Sequence, residues 1–280
     1  MSWTTDRRVM TVRDRWPLAD VVVETFDGFR RHQTARNAAA LAYYGFFTLF
    51  PLIIVGTTIL GMLIEDDPEL VDRIIDGVLG RIPVIGDQLE SQGRITGSWW
   101  ALVVGVLVAL WGSLRAFVGI QTALDDCWEV DIDDRANAAL KRAKALIGVF
   151  VIGIGQVSGV ILAAIVSHAG LPLEGQALVV AGTAVLNFAM VLIMYRFLTS
   201  KTVSWSMIWR GAALCGVLYT ALQLVGTLVM TRAFDNAEAV YGAFAGTLAL
   251  LTWLTLLAYI SLIGGELNAA LDRRRHRIAS

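Results

Sequence analysis

The chain has 280 residues, of which 56% are hydrophobic and only 17% are charged, and its mean hydropathy is +0.63. Soluble domains carry about half apolar and about a quarter charged residues, so this composition indicates a membrane protein. The formal net charge of −1 lacks the positive excess of a nucleic-acid-binding domain. Two cysteines, Cys127 and Cys215, are too few for a disulfide framework or a cysteine-rich site, and we predict no metal and no other cofactor.

Six stretches of about 20 residues are nearly free of charge, and each could cross a hydrocarbon core of about 30 Å as a helix. They are residues 38–64, 97–119, 145–166, 176–198, 208–230 and 243–271. Each contains glycine or proline, which makes the strand alternative poor. The sequence therefore predicts an all-α polytopic fold, in which one membrane domain, 1–280, holds a bundle of six transmembrane helices.

The segments outside the spans have their own patterns. Residues 1–37 form an N-terminal segment whose apolar residues recur at helical spacing, which predicts an amphipathic helix lying in the membrane interface or against the bundle. Residues 65–96 predict a short helical cap on the outer face, and residues 272–280 predict a basic cytoplasmic tail. The apolar stripe of the N-terminal helix consists of Leu18, Val22, Phe26 and Phe29.

Lysine and arginine are distributed very unequally between the two sides of the predicted bundle. Counting along the six spans places 19 of them on one side and 4 on the other. Basic residues are enriched in cytoplasmic loops, so we predict that both termini are cytoplasmic. An even number of spans requires the termini to share a side.

Two ionisable residues lie within predicted spans, where a charge costs about 2.5–3.5 kcal/mol on insertion scales. Arg115 and Glu266 both fall toward the cytoplasmic ends of their helices, so they could pair. With Gln121 and Asn268 they form a predicted inner polar cluster around a cavity. The alternative is that Arg115 snorkels to the interface and Glu266 simply meets water.

Other polar residues have simpler predicted roles. Gln156, Asn187 and Gln223 lie in mid-span and predict hydrogen bonds between helices. The acidic residues between 125 and 134 predict a solvated loop, in which Asp134 caps the next helix. Pro51 predicts a kink in the first span.

Three groups of residues carry a resemblance to a known family. The first group is the aromatic run Ala40-Leu41-Ala42-Tyr43-Tyr44, followed by Phe50-Pro51-Leu52. The second group runs from Trp111 through Arg115 and Gln121 to Ala123-Leu124 and Trp128. The third group comprises Tyr241-Gly242, Trp253 and Gly264-Gly265-Glu266-Leu267-Asn268. Together they resemble the YihY/BrkB family of bacterial inner-membrane proteins, formerly mislabelled ribonuclease BN, over nearly the whole chain. Thr255 departs from the pattern, where a tyrosine is expected.

The resemblance implies six spans and an envelope-integrity or virulence-related serum-resistance role, with a lipid or envelope-precursor transport role suspected for some members. Buried polar residues, a kinked helix and a basic inner rim favour a transporter or lipid-handling protein. A structural envelope scaffold is the alternative, and a ribonuclease is least favoured, because no convergent metal-binding carboxylates or histidines are evident. We therefore expect no enzymatic activity and no nucleic-acid partner. Membrane lipids are the expected partners, and a homo-oligomer is compatible with the sequence.

Overall fold

The computed structural model describes residues 16–63, 99–168, 173–241 and 244–279. The described residues form seven α-helices, one short 3-10 helix at Ile132–Asp134 and no strand. The predicted all-α class is therefore correct. The helices are α1 Pro17–Arg31, α2 Thr34–Leu63, α3 Trp99–Cys127, α4 Ala138–His168, α5 Leu173–Leu198, α6 Trp205–Tyr241 and α7 Phe244–Ala279.

The described residues of each of the six predicted spans lie within one of the helices α2 to α7. The helices extend beyond the apolar stretches, because polar residues at a helix end can reach water while the backbone stays hydrogen-bonded. In particular, residues 272–279, predicted as a tail, continue α7. The predicted outer cap, 65–96, lies outside the described residues.

Four segments within the described residues are long and apolar enough to cross a membrane. The side chains on the surfaces of the helices are largely apolar, whereas several polar side chains are buried, the reverse of a soluble domain. This distribution is that of a membrane protein. The four segments are Val103–Cys127, Ala177–Leu198, Trp205–Gly226 and Gly246–Arg277. Exposed apolar side chains include Trp100, Leu107, Trp111, Phe150, Leu178 and Val217, and buried polar ones include Gln121, Asp125, Asn187, Glu266 and Asn268.

The chain divides into two compact units. Unit 1 comprises the described residues of Met1–Ala40, Phe117–Leu224 and Leu256–Ser280, and unit 2 those of Leu41–Ala116 and Val225–Thr255. The chain passes from one unit to the other within helices α2, α3, α6 and α7. Unit 1 contains the buried ionisable residues discussed below, so the candidate site is described within unit 1 alone.

Helix α1 has proline at its first turn, where the missing N–H costs nothing, and it ends at Arg31. Its apolar residues Leu18, Val22 and Phe26 are all exposed. Phe29 instead stacks on Tyr259 of α7, with ring centroids 5.8 Å apart. The acidic side of α1 is the side that contacts α7.

Candidate functional site

Glu266 of α7 is fully buried, and its carboxylate is held by the turn between α1 and α2. An ionised carboxylate can only accept hydrogen bonds. Its Oε1 accepts one from His32 Nδ1–H at 2.7 Å and a longer one from the Thr34 hydroxyl at 3.3 Å. Its Oε2 is buried without any hydrogen-bond partner. Because a buried charge needs such partners to offset lost hydration, His32 and Thr34 are the groups that make Glu266 tolerable.

Gly28 explains how α1 comes so close to this carboxylate. A Cβ atom at position 28 would overlap Glu266 Oε2, and it would also lie 3.4 Å from Arg273 Nη2. Glycine is therefore required here by the close approach of α1 and α7. Arg273 Nη2, like Glu266 Oε2, is buried without a partner, so two unsatisfied polar atoms lie beside the same glycine.

A network of ion pairs surrounds the buried carboxylate. Glu129, which follows α3, accepts from Arg31 at 2.8 Å and from Arg273 at 3.4 Å. Arg273 also reaches Glu24 of α1 at 3.2 Å. Three further pairs join α1 to the end of α7: Asp20 to Arg274 at 3.5 Å, Asp20 to Arg277 at 3.6 Å and Glu24 to Arg277 at 3.3 Å. The basic end of α7 is thus docked on the acidic side of α1.

Cys127, the last residue of α3, completes the centre of the site. It is buried and not disulfide-bonded, and its backbone carbonyl accepts a hydrogen bond from Arg273 at 3.1 Å. His32, Cys127 and Glu266 each present one potential metal-ligand atom, and these atoms all lie within 4.8 Å of one another. The site therefore unites a nitrogen, a sulfur and an oxygen donor, which are the donor types of zinc sites.

Two other members of the predicted inner polar cluster form separate hydrogen bonds in unit 1. Gln121 donates from Nε2 to the carbonyl of Lys141 at the start of α4, at 2.9 Å. Asn268 accepts from the Gly211 N–H at 2.7 Å and donates to the Ile208 carbonyl at 2.9 Å. Both amides are buried, and each joins two helices. Such bonds fix how the helices pack.

Arg115 belongs to unit 2, and its predicted pairing with Glu266 of unit 1 stays a prediction. Within unit 2, Arg115 is exposed, and its guanidinium lies 5.3 Å from the centroid of the Trp111 ring. An exposed arginine stacked on an aromatic ring fits the snorkelling interpretation. Glu266, in contrast, is buried, so it does not simply meet water.

The aromatic motif before Pro51 also lies in unit 2. Tyr43 contacts both Tyr44 and Phe47, with ring centroids 5.7 and 4.7 Å apart, and it is largely exposed. Pro51 lies inside α2, which continues through it. Because proline has no N–H, the Phe47 carbonyl loses its helical donor, while the kink itself stays a prediction.

The acidic segment 125–134 is only partly the solvated loop that the sequence predicts. Asp125 is fully buried, and its two oxygens accept from the backbone N–H and the hydroxyl of Ser200, both at 2.8 Å. Asp125 thereby anchors the turn between α5 and α6. The prediction that Asp134 caps the next helix is wrong, because Asn137 accepts from the Leu140 N–H at 2.8 Å. Asp131, Asp133 and Asp134 are exposed, as expected.

One predicted interhelical contact is confirmed. Asn187 of α5 donates to the Thr220 hydroxyl at 3.2 Å and to Gln223 Oε1 at 3.3 Å. Both acceptors lie on α6, so a mid-span amide joins two apolar helices. The side chain of Gln156 lies outside the described residues.

The residues that complete the Glu266 site were not found from the sequence. His32 is one of three scattered histidines, and Cys127 lies in a polar stretch, 95 positions further along the chain. Neither has a metal-ligand neighbour at a recognisable spacing. The one local signal was Glu266 itself, a carboxylate in an apolar helix.

The protein named ribonuclease-like protein YfkH from Bacillus subtilis (strain 168) is 21% identical over 263 residues, which cover 90% of this chain and 95% of that protein. A UPF0761 membrane protein from Alkalilimnicola ehrlichii is 27% identical over 90% of this chain, and one from Chromohalobacter salexigens is 23% identical over 96%. The chain spans only 58% and 66% of those two relatives. No solved structure matches the chain.

The sequence model of the virulence factor BrkB family matches residues 25–279. The match includes the second half of α1, the turn that carries His32, and the whole of α7 to its last described residue. All the residues of the buried site named above, except Asp20 and Glu24, fall inside it. This chain belongs to the virulence factor BrkB family.

Proposed function

We propose that the chain is a six-span protein of the bacterial cytoplasmic membrane that transports or handles a lipidic or envelope-precursor substrate and thereby maintains the envelope. The observation that supports this most directly is the burial of the Glu266 carboxylate in an apolar helix. Ionisable residues within membrane helices are costly and mark substrate, ion or proton pathways. A non-transporting envelope scaffold is the competing function.

The hydrogen bonds of Glu266 support a transport role in a specific way. Its partner His32 lies in the two-residue turn between α1 and α2, rather than deep in a second long helix. A small movement of α1 would therefore break or re-form the hydrogen bond between His32 and Glu266. When the bond is broken, the negative charge of the carboxylate would be free to interact with a substrate or a proton. Side chains that pair in one conformation and not in another are suited to coupling a bound substrate or proton to a conformational step.

Helix α1 fits this proposal as an interfacial helix. Its exposed apolar residues Leu18, Val22 and Phe26 would enter the boundary between headgroups and acyl chains, while its acidic side stays on the arginines of α7. Apolar stripes of this kind bind membranes through the area they bury. Membrane lipids are accordingly the first partners we propose.

We do not extend ribonuclease activity to this chain from the name of its relative. Metal-dependent hydrolysis of nucleic acid requires carboxylates that are free to bind a metal ion and face the substrate. In the acidic segment 125–134, the buried Asp125 instead uses both of its oxygens on Ser200, and Glu266 is buried away from any large substrate. We propose a protein without enzymatic activity and without a nucleic-acid partner.

Reporter fusions test the proposed orientation. Fusions after positions 90, 170 and 237 should report the outer side, and fusions after positions 137, 203 and 280 should report the cytoplasm. The reason is that 19 of the 23 lysines and arginines fall on the side predicted to be cytoplasmic. Alkaline phosphatase fusions are active only on the outer side, and fluorescent protein fusions are fluorescent only in the cytoplasm, so the two reporters measure the two sides independently. A reversed result at 137 or 203 would contradict the six-span assignment.

Complementation separates transport from scaffolding. Glu266→Gln keeps the shape of the side chain and removes its charge, so the variant should reach the membrane in normal amounts but fail to restore the envelope of a strain lacking the homologous protein. Asp133→Asn, which neutralises an exposed carboxylate, is the matched control and should complement fully. Full complementation by Glu266→Gln at wild-type abundance would favour the scaffold.

A further inference from the structure

We propose that His32, Cys127 and Glu266 bind one Zn²⁺ ion. Their potential ligand atoms lie within 4.8 Å of one another. Cys127 and Glu266 are buried, at 1% and 0% exposed, and 9% of the His32 side chain is exposed. His32 lies in the α1–α2 turn, Cys127 is the last residue of α3, and Glu266 lies in α7. An ion bound by all three would therefore join three separate elements of unit 1.

The donor set and its spacing suit zinc. Zinc binds imidazole nitrogen, thiolate sulfur and carboxylate oxygen at about 2.0–2.3 Å, usually with four ligands in a tetrahedron. At those bond lengths tetrahedral ligands are separated by about 3.4 Å, so side-chain adjustments of about 1 Å would suffice here. Three protein ligands leave the fourth position for a water molecule.

The unsatisfied carboxylate oxygen is the observation that points to a ligand. Glu266 Oε1 is hydrogen-bonded, but Oε2 is buried without a partner. Buried polar atoms are almost always satisfied, so each exception needs an explanation. A cation bound to Oε2 would explain why this oxygen has no hydrogen-bond donor. Gly28 leaves the space in which Oε2 lies, because any larger residue would overlap it.

The surroundings match the second layer of a zinc site. A metal-bound histidine usually donates its other ring N–H to a carboxylate, and metal-bound carboxylates are themselves hydrogen-bonded. If His32 binds through Nδ1, its Nε2 faces Glu129 Oε1, 3.6 Å away. The Thr34 hydroxyl meanwhile donates to Glu266. Arg31 and Arg273 hold Glu129 in place.

Charge also balances. Zinc binding displaces the proton from the Cys127 thiol, and the proton on His32 Nδ1 moves to Nε2, so that the imidazole ligand stays neutral. The resulting thiolate and the Glu266 carboxylate together carry two negative charges, which one Zn²⁺ neutralises. A neutral assembly avoids the cost of an uncompensated charge in a buried site. In the proposed orientation the site lies at the cytoplasmic end of the bundle, where thiols are kept reduced.

Metal analysis of the full chain tests the proposal. Protein purified in detergent, stripped with a chelator and dialysed against Zn²⁺ should retain one zinc per chain by mass spectrometry. Co²⁺ in place of zinc should give the near-ultraviolet absorption of a thiolate-to-cobalt charge transfer. Cys127→Ser should abolish that absorption, and it and Glu266→Gln should each weaken zinc binding by at least about 100-fold. Cys215→Ser, which changes the other buried cysteine, should behave as wild type.

The wild-type protein decides the matter even if a variant fails to fold. Less than about 0.2 zinc per chain, the level of adventitious metal, together with no thiolate absorption with Co²⁺, would overturn the proposal. So would wild-type zinc affinity in a folded Cys127→Ser. Failure of the zinc proposal and failure of the transport proposal are distinguishable: complementation by Glu266→Gln would overturn transport, whereas the metal content of the wild type would be unchanged.

Discussion

Replacing His32 with alanine should lower the free energy of unfolding in detergent by about 3–5 kcal/mol, because it leaves the buried Glu266 carboxylate without its closest donor. The partner that remains, the Thr34 hydroxyl, is 3.3 Å away and neutral, so it cannot replace the imidazole. Thermal or chemical unfolding of the purified protein measures the loss. His276→Ala is the matched control: that side chain is 80% exposed, and its removal should change stability by less than about 0.5 kcal/mol.

Removing the carboxylate charge should cost less than removing its partner. In Glu266→Gln the His32 N–H still finds an amide oxygen, and no buried charge is left, so the expected loss is about 1–3 kcal/mol. The double variant should lose less than the sum of the two single losses, and the difference is the coupling energy of the pair. Additive losses would show that His32 and Glu266 do not interact in the folded protein.

The same cycle tests the pairing that the sequence predicts. Arg115→Met combined with Glu266→Gln should be additive to within about 0.5 kcal/mol if Arg115 interacts only with Trp111. A coupling larger than this would instead establish a contact between Arg115 and Glu266. The two cycles share one variant, so they can be compared directly.

Gly264→Ala should be the most damaging small substitution in α7. A Cβ at position 264 would overlap Cys215 Sγ and would lie 2.5 Å from the Tyr195 hydroxyl and 2.8 Å from the Gly211 carbonyl. Cys215 and Tyr195 are buried, and the third neighbour is backbone, so little can move. Overpacking of this kind costs about 1–3 kcal/mol and sometimes more, which exceeds the gain of about 1 kcal/mol from replacing a helical glycine by alanine.

Gly153→Ala is the control for this change. Position 153 lies in α4, and a Cβ there would meet nothing within 4 Å. The alanine should therefore leave stability unchanged or raise it by up to about 1 kcal/mol. If both alanine variants unfold at the same temperature, the close approach of α6 and α7 at Gly264 is not present in the folded protein.

Local sequence was enough to predict the helices and the class of protein. The chain contains six apolar stretches of about 20 residues. In lipid, every backbone N–H and C=O group of such a stretch must be hydrogen-bonded within the stretch itself, which requires a helix. That requirement acts on each stretch separately, which is why all six coincide with helices. It also explains why Glu266 stood out: a carboxylate in such a stretch is costly wherever its partner lies.

What surrounds Glu266 was decided by tertiary structure alone. His32 lies 234 positions away in the chain, and nothing near either residue encodes which helix ends meet. The same limit applies to α1: its pattern predicted an apolar stripe but not that its acidic side would contact the arginines of α7. Asp125 likewise looked solvated among its neighbours until packing brought Ser200 to it. Local periodicity determines which residues share a face, whereas the partner of that face depends on how the helices pack.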